Sequence, residues 1–156
     1  MNWEGSGEPV RQGEARRGDA KSIFKAAVAY FAAVFAIGFA IGACRVLLLA
    51  PRVGETVAVA LEAPVMIAVS WLVCAAVLRR FAPPATASAR LAIGALALFL
   101  LLVADAALGF FGFGRPLSEQ LAAFARPAGA IGFAAQCVFG LIPLLTLAER
   151  RRPRDP

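Results

Sequence analysis

Four stretches of the chain, 23–44, 57–78, 91–113 and 127–148, are apolar with few or no charged residues, and the polar residues collect between them and at the two ends. A bilayer core of ~30 Å needs about 20 helical residues at ~1.5 Å each, and each stretch is near that length. The pattern predicts an all-α, polytopic transmembrane bundle of four helices. Residues 1–22, polar and mixed in charge, read as a disordered tail, and 149–156 as a basic tail. In the second stretch only 63–78 is free of charge, so reaching a full span from 57 draws Glu62 into the membrane edge.

The third stretch, Leu91 to Phe113, is expected to be the one the others pack around. Asp105 is its only ionisable group. A carboxylate inside hydrocarbon is costly, so Asp105 needs a partner, a proton or water.

Composition agrees with lipid as the solvent: the chain is 60% hydrophobic with a mean hydropathy of +0.74. The net charge of +6 does not signal nucleic acid, because the basic residues flank the apolar stretches instead of gathering on one face. Of the 16 Lys and Arg residues, only Arg45, Arg52, Arg115 and Arg126 fall on one side of the expected topology. The positive-inside rule then puts the N- and C-termini in the cytoplasm.

Ile41-Gly42-Ala43-Cys44 resembles a lipoprotein cleavage box, but the apolar stretch before it is too long for a signal core and Arg45 follows the cysteine. An uncleaved helix is expected. Cys44, Cys74 and Cys137 form no close pairing, and the chain has no histidine. No metal site and no cofactor is therefore expected.

Small residues recur along the first helix at Ala26, Ala29, Ala33, Ala36, Ala40 and Ala43, with Gly38 and Gly42 beside them. Gly129, Gly132, Gln136, Gly140 and Pro143 form a second stripe on the fourth. Such stripes let helix backbones approach in lipid. Two readings of the first are open: packing within the chain, or self-association or contact with another membrane protein.

Glu55 to Pro64 resembles Glu119 to Pro127, with Glu55 and Glu119, and Glu62 and Arg126, at an offset of 64, each leading into the next spanning stretch. Chance similarity and duplication are both open. Duplication predicts two helical hairpins in parallel pseudo-repeat about an axis along the membrane normal, with short interfacial helices on the outer side.

Depth arithmetic brings one charge from each helix to the outer half: Arg45, Glu62, Asp105 and Arg126. In one reading Asp105 pairs with Arg45 or Arg126 and Glu62 takes the other, tying the helices together. In the other they line a polar cavity for a solute, an ion or a lipid headgroup. The sequence carries no Ser–His pairing, phosphate-binding loop or metalloprotease motif, so no enzyme is expected.

The order R-x-L-L-L-x-P-R-x-G-E at 45–55, then L-E-x-P-x-M at 61–66 and Ser70-Trp71, resembles small four-helix bacterial inner-membrane proteins of no assigned activity. The resemblance implies a multi-pass protein of the bacterial inner membrane and no site residues. Two functions are carried forward: a non-enzymatic membrane component such as a subunit or accessory protein, and a small solute or ion transporter or lipid-binding protein built on the charge cluster.

Overall fold

The computed structural model describes the backbone of residues 8–151 and the side chains of residues 16–148; the tail expectations for 1–7 and 152–156 lie outside the described residues. Helix α1 (Glu8–Cys44) continues through a π-helical turn (Arg45–Leu49) into α2 (Ala50–Val53). Helix α3 (Glu55–Phe81) is followed by α4 (Ala87–Ala107), which ends in a second π-helical turn (Leu108–Gly112). A short α5 (Leu117–Ala123) then leads into α6 (Pro127–Arg151). Arg16–Val53, Glu55–Phe81, Ala87–Gly112 and Pro127–Ala148 are long and apolar enough to cross a membrane. The fold is an all-α transmembrane bundle of four long helices.

The first helical rod, α1 through α2, is longer at both ends than its apolar stretch. Residues 8–22, expected as disordered tail, are helical from Glu8 onward. Glu, Arg, Lys and Ala are good helix formers, Pro9 fits a first turn, and extending an existing helix costs less than nucleating one. At the other end the connection expected between the stretches, over 45–56, shrinks to a single turn at Gly54. Pro51 has no N–H for the carbonyl four residues back, and the wider π-helical turn before it absorbs the misfit. Gly54 reverses the chain at φ +82°, a conformation open to glycine, and its own N–H closes on the Ala50 carbonyl at 2.9 Å.

The far turn is made differently. Ala82 caps α3 with φ +41°, and Pro83 prevents the helix from continuing. Thr86 opens α4, its hydroxyl accepting from the Ala89 N–H at 3.2 Å.

Around the bundle, α1 packs on α3, α3 on α6, α6 on α4, and α4 on α1. The two hairpins therefore stand side by side in parallel, like-directed helices adjacent. A two-fold axis along the membrane normal would set equivalent helices across the diagonal, so the hairpins are related by a lateral shift instead.

The core lies between the hairpins, where Tyr30, Ser70, Cys74, Ile93, Ile142 and Pro143 are the largest fully buried side chains. Helices α4 and α6 touch backbone to backbone: a Cβ on Gly94 would run into the carbonyl oxygen of Gly140. The periphery is apolar, with Leu72, Phe99 and Phe111 exposed, as expected where lipid is the solvent. The α1 stripe explains its own divided role. Steps of three and four advance less than 3.6 residues per turn, so it drifts around the helix by roughly 100°. Ala26 is buried, Ala29 and Ala33 are partly covered, and Ala36 and Ala40 face outward.

Candidate functional site

The Gly54 end of the bundle holds a cavity of about 730 Å³ with walls from all four long helices and from α5. Arg45, Glu62, Asp105 and Arg126 all line it, as do Gly38, Gly42, Gly132 and Gln136. Ala33, the remaining packing residue expected from sequence, is partly buried in α1 outside that lining.

The cavity is layered. Its floor is apolar, built from Val34, Phe35, Met66, Leu101 and Phe139, with the buried Ser70 among them. Above the floor is a polar waist. Arg45 and Glu62 meet there as an ion pair, Nε to Oε2 at 2.5 Å, with side chains 23% and 16% exposed. Across from them the Gln136 amide donates to Asp105 Oδ2 at 2.5 Å. Counting back from the helix ends, both pairs sit roughly 10–13 Å below the rim. The rim carries Glu55, Arg115, Glu119 and Arg126, all exposed.

Each pair ties one hairpin. Arg45 reaches Glu62 because α1 and α3 are neighbours, and Asp105 reaches Gln136 because α4 lies on α6. The expected pairing of Asp105 with an arginine is not the one formed: its hydrogen-bond partner is an amide, Arg45 is taken by Glu62, and Arg126 stands at the rim. Among the described residues no group of three or more His, Cys, Asp or Glu side chains is placed to hold a metal ion.

The mouth is shaped by features that the sequence reading did not single out. Both π-helical turns are at this end, and Arg45, Val46, Leu47 and Leu108 from them form part of the wall. A π-helical turn adds a residue to the helical repeat and re-aims the side chains around it, which is how it recurs at binding sites. Helix α5 is held over the second turn by Gln120, whose amide donates to the Arg115 carbonyl at 3.0 Å and the Ala106 carbonyl at 3.4 Å. The Gln120 side chain lies where a Cβ on Gly109 would stand. Pro51 and the glycines at 109 and 112 were the available signals for the two distorted turns.

Searches of protein-family models, curated proteins and solved structures found no match to this chain.

Proposed function

We propose that this chain is a non-enzymatic, multi-pass membrane protein that binds a small solute or amphiphile in the cavity at its Gly54 end, as a small transporter or lipid-binding protein would. The observation that carries this reading is the convergence of Arg45, Glu62, Asp105 and Arg126 on one cavity of about 730 Å³. A purely structural set of ion pairs leaves no such space, because lipid-embedded polar groups are ordinarily closed on one another. The volume lies within the ~300–1,000 Å³ usual for small-molecule sites.

In this reading the membrane is the bacterial inner membrane, with both termini cytoplasmic and the cavity opening on the outer side. The crowding of Lys and Arg at the opposite end supports that orientation. The resemblance to small bacterial inner-membrane proteins supports the location.

Native mass spectrometry of the protein purified in mild detergent tests the reading, with Gly132→Leu as control. Gly132 lines the cavity, and a Cβ there meets nothing within 4 Å, so leucine fills the space without striking the backbone. A retained small-molecule or lipid adduct in the wild type, reduced in Gly132→Leu, is the expected result. Identical spectra for the two proteins would remove the basis for a binding cavity.

A second reading, a subunit or assembly protein acting through its helix faces, is favoured by Ala36 and Ala40, the outward part of the α1 stripe. Enlarging Ala36 and Ala40 to leucine then breaks a detergent-stable complex while the bundle itself stays folded. Unchanged assembly would count against it.

A further inference from the structure

The layered cavity restricts the charge of its guest. At the waist, Arg45 and Glu62 neutralise one another, whereas Asp105 is matched by the uncharged Gln136 amide. The waist as a whole therefore carries one uncompensated negative charge whenever Asp105 is ionised. Burial in a low-dielectric setting makes that charge costly, and a positive group brought in by a guest cancels the cost.

The cations already present cannot take that role from where they stand. Arg45 is held by Glu62, Arg115 lies over the Phe113 ring at 5.7 Å, and Arg126 is exposed at the rim. At the rim, Glu55 and Glu119 stand with Arg115 and Arg126, two of each sign. The uncompensated charge is thus at the waist and is negative.

The floor excludes a bare inorganic ion. Calcium takes six to eight oxygen ligands and magnesium a near-octahedral shell, whereas at the waist Asp105 is the one carboxylate outside an ion pair and the floor beneath it is rings and aliphatic chains. Phe35, Phe39 and Phe139 line the space together with the Met66 thioether. Aromatic faces and polarisable sulfur favour a positively charged organic body over a neutral or anionic one.

We infer that the cavity binds an organic monocation with an apolar body, its charge set against Asp105 and its body against Phe35, Phe39, Met66 and Phe139. This rests on the reading of the cavity as a binding site and specifies the class of guest. Asp105 supplies the charge, and Gln136 orients the carboxylate by donating to Oδ2. The Arg45–Glu62 pair forms the opposite wall and keeps a second negative charge from adding to the first.

Tetraphenylphosphonium and tetraphenylborate, similar in shape and opposite in charge, test the assignment on the full chain in nanodiscs by equilibrium binding. Gly132→Leu nanodiscs give the background from partition into lipid. Saturable binding of tetraphenylphosphonium to the wild type is expected, with little saturable binding of tetraphenylborate. Asp105→Asn keeps an oxygen acceptor for Gln136 and is expected to bind tetraphenylphosphonium about ten-fold or more weaker, whereas Asp105→Glu retains most of the affinity. Equal affinity for the two probes, no saturable phosphonium binding, or full affinity in a folded Asp105→Asn protein would each overturn the cation assignment. Should the mass-spectrometric adduct survive that outcome, the cavity remains a binding site for a guest of another charge.

Discussion

The Tyr30 hydroxyl donates to the main-chain carbonyl of Phe139 at 3.0 Å, deep in the bundle and across its diagonal. That carbonyl is the one Pro143 leaves without its helical donor, since proline has no N–H to give to the residue four positions back. The two rings also stack, with centroids 4.4 Å apart. A break in the helical hydrogen bonding of α6 is thus repaired from α1, and the repair joins the two hairpins.

Tyr30→Phe removes that donor and leaves a buried carbonyl unsatisfied, at a cost of about 1–3 kcal/mol. The cost is expected to fall in a Pro143→Ala background, where the restored N–H serves the same carbonyl. Thermal unfolding of the four proteins of this cycle in one detergent measures the coupling. Strictly additive effects would show that Tyr30 contributes only by packing.

The contact of α4 with α6 predicts an asymmetric pair of glycine substitutions. A methyl on Gly94 meets the Gly140 carbonyl, which is backbone and cannot turn aside, whereas one on Gly140 meets the Leu98 side chain at 3.1 Å. Gly94→Ala is expected to destabilise by about 3 kcal/mol or more, and Gly140→Ala by about 1 kcal/mol. Melting temperatures in detergent will rank them, and equal losses would contradict the close approach.

Breaking the Arg45–Glu62 pair from one side strands a partly buried charge. Arg45→Ala and Glu62→Ala should each cost about 1–3 kcal/mol, discounted from the value of a fully buried pair because both side chains retain some exposure. The double variant Arg45→Met with Glu62→Met is expected to be near wild-type stability. It would also leave the Asp105 charge in place, so phosphonium binding should survive in it.

At Ala82 the backbone holds a residue with a side chain in the left-handed region, φ +41°. Glycine there relieves about 1–2 kcal/mol of local strain, partly offset by its greater freedom in the unfolded chain. A net gain of about 0.5–1 kcal/mol is expected for Ala82→Gly, read as a higher melting temperature with unchanged ligand binding.

Much of the site was legible in the chain because depth in a membrane follows from counting. Arg45, Glu62, Asp105 and Arg126 converge on one cavity in the half of the bundle where helical rise alone placed them, with Arg126 at the rim above the other three. Who pairs with whom was not legible, since rise says nothing about which helix stands beside which. The Gly and Gln face of α6 suits close packing with an interhelical hydrogen bond from Gln136, and the adjacency of α4 and α6 makes Asp105 its partner. Gly94 passed unnoticed for the same reason: its spacing resembles that of any glycine in a helix until Gly140 lies against it.

The number of spanning helices and the gathering of charge at their ends were determined by the sequence alone. Both follow from how many consecutive residues avoid water, a property that needs no partner. Tertiary structure decided the lateral order of the helices, the Tyr30 repair of α6 and the empty space between Asp105 and the opposite wall. Those depend on side chains distant in sequence meeting around a bundle, and on two π-helical turns whose effect on direction appears only once the helices are packed.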